Sequence, residues 1–194
     1  MITRKFDYNL TEITALTSDT NGGKYIWVGY KKNESNVCLL KQYSAHNPEQ
    51  VYYELEVSVD EIKDLKQIDA YLYVAVDDST NIGLIYSLLN TTIVDTEIVL
   101  PASANEAPIK IIFEDTDYVY FLLPGLNTEN IKIYKYPYNS NSLDETIELT
   151  GLHNASSFTI DSSNNIWVVT NESPSKLIRI YDDGGYTWDT TILS

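Results

Sequence analysis

The sequence predicts an all-β fold, a β-propeller of four repeats of about 47 residues, each forming a four-stranded antiparallel blade. Three observations carry this expectation. Four short segments share one character: Tyr25–Tyr30, Tyr71–Val76, Tyr118–Leu123 and Asn165–Thr170. Their matching aromatics, Trp27, Tyr73, Tyr120 and Trp167, follow one another at intervals of 46, 47 and 47 residues. The composition agrees, with 16 Tyr and 3 Trp among 194 residues and abundant Val, Ile and Thr, residue types that suit a pleated, half-buried surface.

Each repeat has the same internal order. A first strand precedes the aromatic segment, at Ile13–Ser18, Ile62–Gln67, Ile109–Glu114 and Ser157–Asp161. A polar turn follows, as in Asp161-Ser162-Ser163-Asn164, where Asx side chains can satisfy the local backbone. The aromatic segment is the second strand, apolar on both faces as expected of a strand buried between neighbouring blades. Third strands fall at Asn36–Tyr43, Ile82–Leu89, Ile131–Tyr136 and Leu177–Tyr181, and fourth strands at Val51–Val57, Ile93–Leu100, Leu143–Leu149 and Tyr186–Leu193. The blades so defined cover residues 11–59, 60–106, 107–152 and 153–194 of a single domain, with an extra strand in residues 1–10, at Arg4–Leu10. Only Asp60–Gln67 is ambiguous between strand and helix. A β-sandwich of short strands is the competing architecture, but it would require no 47-residue period. The extra N-terminal strand, beside a complete last repeat, points to a partial or self-associating propeller rather than a ring closed by strand exchange.

Composition removes several function classes. The net charge is −15, which repels a phosphate backbone and excludes nucleic acid as a partner. The charge is uneven: residues 1–50 carry six basic and five acidic side chains, and the other 144 carry seven and 23. The near-neutral first repeat is therefore a candidate partner-facing region, against the plain reading of an acidic solvated surface. The N-terminal segment has no apolar stretch long enough for a signal peptide, and no window reaches the roughly 20 apolar residues that span a bilayer. A soluble chain without membrane insertion is expected, and its compartment is left open. Cys38 is the sole cysteine and sits in the apolar run Val37–Leu40, which reads as a core position.

The last hairpin carries Asp183-Gly184-Gly185-Tyr186-Thr187-Trp188. It resembles the Asp-box of sialidase-type (BNR) propellers, Ser-x-Asp-x-Gly-x-Thr-Trp, which lies between the third and fourth strands of a blade. Tyr181 stands where Ser is usual, and the other three repeats lack the motif. A second stretch, Asp161-Ser162-Ser163-Asn164-Asn165-Ile166-Trp167-Val168, resembles the Asp-x-x-Gly-Asn-Ile-Trp-Val strand pair of sensor-type and NHL-like propellers, with Asn164 in place of Gly. Each resemblance covers one blade of four. The Asp-box resemblance implies a structural role for Asp183, Gly185, Thr187 and Trp188: the carboxylate accepts N–H groups of its own turn, Gly185 takes a positive φ, and Trp188 packs between sheets. Asp-boxes lie away from the catalytic face in the enzymes they resemble, so no activity comes with the motif.

The search for chemistry returns little. A sialidase-like site needs an arginine cluster, conventionally three, and only Arg4 and Arg179 are present. His46 and His153 both fall on connecting loops, and together with Cys38 they make only three zinc-type ligands. No nucleophile elbow, Gly-rich phosphate loop or Asp-x-Asp-x-Asp-Gly calcium spacing occurs. Asp77-Asp78, Asp115/Asp117, Glu54/Glu56 and Asp182-Asp183 could serve glycoside hydrolysis, but with 28 acidic residues such pairs arise by chance. Four Asn-x-Ser/Thr sites, at Asn33, Asn90, Asn154 and Asn171, likewise carry no weight in a chain rich in these residues. Tyr134, Tyr136 and Tyr138 alternate along one strand face and are candidate ligand contacts, as are Tyr52 and Tyr53 near an outer edge; the plain reading is blade packing.

The function expected from the sequence is a non-enzymatic structural or protein-interaction propeller module, with no catalytic residues, metal or cofactor. A protein partner or self-association is expected, and the Asn-, Thr- and Tyr-rich, Met- and Cys-poor composition suits a virion or cell-surface component. The alternatives are a carbohydrate-binding module or glycosidase-related fragment, with a glycan as ligand, and a sensor domain of a longer receptor.

Overall fold

The computed structural model describes residues 10–18, 23–32, 37–47, 49–68, 71–77, 87–89, 92–94, 109–114, 117–138, 140 and 142–193. Among them the chain is all-β, with sixteen strands and no helix, and its sheets are antiparallel. It divides into two compact units, Met1–Pro101 and Ala102–Ser194.

The first unit opens with a four-stranded sheet of β1 (Leu10–Ser18), β2 (Tyr25–Lys32), β3 (Cys38–Ser44) and β4 (Val51–Val57), hydrogen-bonded in chain order. Two smaller sheets follow, the hairpin β5 (Glu61–Ile68) with β6 (Tyr71–Asp77), and the short pair β7 (Ser87–Leu89) with β8 (Thr92–Val94). The second unit holds two four-stranded sheets. One is β9 (Lys110–Glu114), β10 (Tyr118–Leu123), β11 (Ile131–Pro137) and β12 (Glu145–Leu149). The other is β13 (Ala155–Ile160), β14 (Ile166–Thr170), β15 (Lys176–Ile180) and β16 (Trp188–Ile192). The four expected strands per repeat are thus seen in the first, third and fourth repeats. In the second, most of Ile82–Leu89 and Ile93–Leu100 lies outside the described residues, as does the expected N-terminal strand Arg4–Leu10 apart from Leu10, which begins β1.

Sheet packs on sheet within each unit. Trp27, Cys38, Leu40 and Val57 of the first sheet share a core with Ile62, Leu65, Leu72 and Val74 of the next hairpin. Gly29 permits this approach, since a Cβ there would lie 3.1 Å from Cγ2 of Ile62. Burying Ile62 completely contributes about 2 kcal/mol. In the second unit Tyr120, Leu122, Ile133 and Ile147 share a core with Phe158, Ile166, Val168 and Ile178.

A bulge recurs at one place in three first strands. The pairing skips Thr14 in β1, Lys63 in β5 and Ser156 in β13, each two residues before a large apolar residue; Leu65 and Phe158 enter a core, whereas Leu16 is exposed. Thr14 Oγ1 donates to the Gly29 carbonyl at 3.5 Å and Ser156 Oγ to that of Val169 at 3.2 Å, so both hydroxyls bond the strand opposite the irregularity. The bulge explains the ambiguity of Asp60–Gln67. Skipping Lys63 brings Ile62 and Leu65, three apart in sequence, into one core, and that spacing imitates a helical period.

The second strands are not all alike. Residues 72–76 of β6 are buried throughout and β10 is buried from Val119 to Leu123, as expected. In contrast, β14 alternates buried and half-buried residues, so one face of the last sheet is covered and the other is partly open. No helix of the described residues is long and apolar enough to cross a membrane.

Candidate functional site

Much of the polar chemistry of the described residues gathers on the last sheet and its turns. The β13–β14 turn is organised by Asp161. Its Oδ1 accepts the backbone N–H groups of Ser163 at 2.8 Å and Asn165 at 3.0 Å. Oδ2 accepts the Asn165 amide at 3.0 Å and the Trp167 indole N–H at 2.9 Å. These donors, the indole first and the Asn165 amide next, hold the Asp161 carboxyl well below the usual carboxylate range. Asn164 adopts φ +62°, a left-handed conformation that asparagine tolerates, and so fills the turn position where the resembling motif has glycine.

Trp167 stands opposite Arg179, and Arg179 stands opposite Asp189, in the register of β14, β15 and β16. The guanidinium carbon lies 5.2 Å from the Trp167 ring centroid and 4.6 Å from that of Tyr181. Arg179 Nε is buried and has no hydrogen-bond partner among the described residues. Tyr181 donates its hydroxyl to Asp189 Oδ2 at 2.8 Å, and that bond raises the Tyr181 pKa. Val169 and Leu177, paired across β14 and β15, lie on the same half-buried face.

The sheet β9–β12 carries a similar arrangement. Lys135, opposite Tyr120, places its ammonium 4.2 Å from the Tyr118 centroid and 5.9 Å from those of Tyr120 and Tyr186. Nζ donates to the Tyr186 hydroxyl at 3.2 Å. Tyr186 comes from the β15–β16 turn, so the last sheet supplies the cap over the cation of the sheet before it. Partial burial alone would lower the Lys135 pKa, but the Tyr186 hydroxyl, the aromatic oxygens and Asp182 reverse this and raise it.

The Asp-box-like turn forms as a hydrogen-bonded unit. Asp183 Oδ1 accepts the N–H groups of Gly185 at 3.2 Å and Thr187 at 3.4 Å, and Oδ2 accepts the Thr187 hydroxyl. Two details depart from expectation. The positive φ falls on Gly184 at +82° and Tyr186 at +50°, not on Gly185, because the chain turns beneath the carboxylate one residue earlier and again where Tyr186 reaches toward Lys135. Trp188 is 38% exposed rather than packed between sheets, since β16 is an edge strand whose five residues are all exposed.

The candidate ligand tyrosines are not brought together as one open surface. Tyr134 and Tyr136 are each 1% exposed and offer no ring face to a sugar. Tyr136 packs edge-on against Phe121 at 5.6 Å, and neither hydroxyl has a hydrogen-bond partner among the described residues. Burial first, then Tyr134, pushes the Tyr136 pKa up to about 12. Tyr138 is half-buried and donates its backbone N–H to the Asp117 carbonyl at 2.7 Å. Tyr53 packs on Trp27 at 5.8 Å, whereas Tyr52 is exposed beside Tyr25.

The remaining candidates are dispersed. His46 is exposed in the first unit, its N–H on Ser44 Oγ at 3.2 Å. His153, in the second unit, bonds the Glu129 carbonyl through Nδ1 and donates its backbone N–H to Glu172 Oε1 at 3.1 Å. Cys38 is fully buried with its thiol toward the Val59 carbonyl, and burial pushes its pKa up. Glu54 and Glu56 pair with Lys41 and Lys32. Asp78, Asp115, Asn33 and Asn90 lie outside the described residues. Among the described residues no cluster of three or more His, Cys, Asp or Glu could hold a metal ion.

The stacks at Lys135 and Arg179 escape sequence reading taken residue by residue. The available signal was the period itself: Gln42, Lys135 and Arg179 occupy the same cross-strand place opposite Trp27, Tyr120 and Trp167.

No protein-family model and no curated protein matches the chain. Among solved structures it is similar to Kuenenia stuttgartiensis hydrazine synthase, with a TM-score of 0.71 at 15% identity over 93% of this chain. The match spans 54% of that chain, so this chain covers about half of its length. At that identity the likeness is one of fold alone.

Proposed function

We propose that the chain is a non-enzymatic structural or protein-interaction module of the propeller type, its four repeats being blades and its last hairpin a structural Asp-box. One observation carries the reading: on the partly open face of the last sheet the two inner strands present Trp167, Val169, Leu177 and Arg179, with Tyr181 beyond them, framed by the polar Ser157, Thr159, Asp189 and Thr191 of the outer strands. Aromatic and arginine side chains on a rigid sheet are the residue types that dominate protein–protein contacts. Arg179 already lies over both rings, which leaves them poorly placed to stack on a sugar. A virion or cell-surface setting fits the composition and belongs to the same proposal.

The test is the size of the chain in extracts of its native source, with glycan-array binding and glycoside hydrolysis measured on the purified chain. A native species larger than the 22.0 kDa chain mass, silent on glycans, is expected. Monomer in the extract, or glycan binding or hydrolysis by the purified chain, overturns the reading.

A further inference from the structure

Two positions recur in every repeat and face opposite sides of its sheet. On the first strand Leu16, Leu65, Ile111 and Phe158 stand opposite Val28, Val74, Phe121 and Val168. On the second strand, one residue before each of those partners, come Trp27, Tyr73, Tyr120 and Trp167, which the pleat turns to the other side. Within each unit the two positions meet. Trp27 and Leu65 belong to one core, and Tyr120 and Phe158 to the other. Within a unit, the aromatic of one repeat and the first-strand apolar residue of the next therefore share one core.

Leu16 and Trp167 are not buried in this way. Leu65, Ile111 and Phe158 are between 2% and 4% exposed, whereas Leu16 is 63% exposed. Ile13 shows the same contrast, at 45% against complete burial for Ile62, its counterpart before the bulge. On the opposite side Trp27, Tyr73 and Tyr120 are buried, and Trp167 is not. Large exposed apolar side chains of the first sheet are Ile13, Leu16, Val51 and Tyr52; Trp188 and Ile192 of β16 are exposed as well, but they pair with Ile180 and Lys176 on the side of the last sheet away from Trp167.

We propose that the leading face of one copy, carrying Ile13 and Leu16, docks on the trailing face of a second copy, carrying Trp167, Arg179 and Tyr181. This rests on the interaction-module reading and names the partner as the chain itself. Leu16 takes the place against Trp167 that Phe158 takes near Tyr120. Charge fits the same alignment. Lys135 of the sheet β9–β12 is capped from beside the fourth strand of the next sheet, by Tyr186. The corresponding fourth strand of a second copy is β4, whose exposed Glu54 and Glu56 lie on the same face as Leu16 and Val28 and offer carboxylates to Arg179. The contact is heterologous, one face against a different one, and propagates head to tail into a ring or a filament.

The experiment is sedimentation velocity of the full chain over a concentration series, with Leu16→Glu and Thr159→Glu. Thr159 is exposed and stands opposite Trp167 on the trailing face. The wild type is expected to exceed the 22.0 kDa chain mass in a concentration-dependent way, and each variant to remain monomeric. An equimolar mixture of the two variants retains one intact face of each kind and gives a dimer with nothing larger. If either variant loses its native thermal transition, Ile13→Glu or Thr191→Glu, exposed on the same faces, replaces it. A wild type at 22.0 kDa throughout, variants that still associate, or a mixture that stays monomeric each overturns the proposal. A monomeric purified chain that is nonetheless large in native extract overturns self-docking and leaves the interaction-module reading standing.

Discussion

Trp167 donates its indole N–H to Asp161 Oδ2 at 2.9 Å, which ties the aromatic of the last repeat to the turn that precedes its own strand. The same carboxylate holds Ser163 and Asn165, so turn geometry and ring orientation are set by one side chain. Because the folded state lowers the Asp161 pKa, its stabilisation is fully present above the ordinary carboxylate value of about 3.9 and is lost as pH falls toward the folded value. Asp161→Ala should therefore lower Tm most at neutral pH, with the gap from wild type narrowing below about pH 4. Thermal melts across pH 2–7 check this; a gap that stays constant means the carboxylate charge is not what stabilises the turn.

The Lys135 stack predicts a modest coupling between the sheets β9–β12 and β13–β16. Lys135→Met keeps the aliphatic stem and removes the ammonium from Tyr118 and Tyr186, costing about 1 kcal/mol. In Tyr186→Phe the hydrogen bond is lost but the ring remains, so the cost should be smaller. Urea unfolding of both single variants and the double variant measures the coupling directly.

Two glycines with similar backbone angles should respond differently to alanine. Gly125 has φ +67°, and an added Cβ would lie 2.6 Å from the Ile131 nitrogen and 2.8 Å from the Glu129 carbonyl oxygen. Its own carbonyl accepts the Asn154 N–H at 2.9 Å, so the loop cannot shift without breaking that bond. Gly151 has φ +75° and open space around it. Gly125→Ala should cost about 3 kcal/mol and Gly151→Ala about 1 kcal/mol, read by chemical denaturation.

Cys38 is predicted to be inert in the native state. It is fully buried and its thiol pKa is raised, so little thiolate is exposed to reagent. Ellman's reagent at pH 8 should label it only as fast as the first unit opens, and immediately in denaturant. Rapid labelling under native conditions contradicts the burial described.

Tyr136 gives the alkaline counterpart to Asp161. Its pKa is raised to about 12, so its neutral form is favoured by folding and the associated stability, present below about pH 10, is lost as pH rises toward 12. Tyr136→Phe removes a buried hydroxyl that has no hydrogen-bond partner among the described residues. It should leave neutral-pH stability within about 1 kcal/mol of wild type or raise it, and move alkaline unfolding to higher pH. An ultraviolet titration with parallel melts decides it.

The all-β class and the strand order were legible because the 47-residue period repeats a pattern that short-range sterics enforce: alternation within strands and Asx-rich turns between them. The strands β4 and β11 fall almost where the apolar runs place them. Reading failed where a side chain's fate depends on what lies beyond its sheet. Trp27 and Trp167 occupy equivalent places in the shared triplet Ile-Trp-Val, yet one is buried and the other half-buried. The alternating tyrosines left two readings open, ligand contact and blade packing, for a stripe of rings looks the same in sequence whether it faces solvent or core; Tyr134 and Tyr136 are buried. The Asp-box-like turn was visible from its residues, but the open environment of Trp188 follows from β16 being an edge, which composition does not encode.

The bulges at Thr14, Lys63 and Ser156 have a consequence for how these strands tolerate length change. Each first strand is measured backward from its hairpin: between bulge and turn every residue is committed to a side, whereas upstream of the bulge the frame has already slipped once. A codon gained before Thr14 adds slack to the entering chain and leaves Leu16 where it is. The same codon gained after it turns Leu16 to the opposite side of the sheet and puts a neighbour in its place. In these three strands a length change ahead of the residue that precedes the bulge, such as Ile62, should therefore be tolerated, and one between bulge and turn excluded.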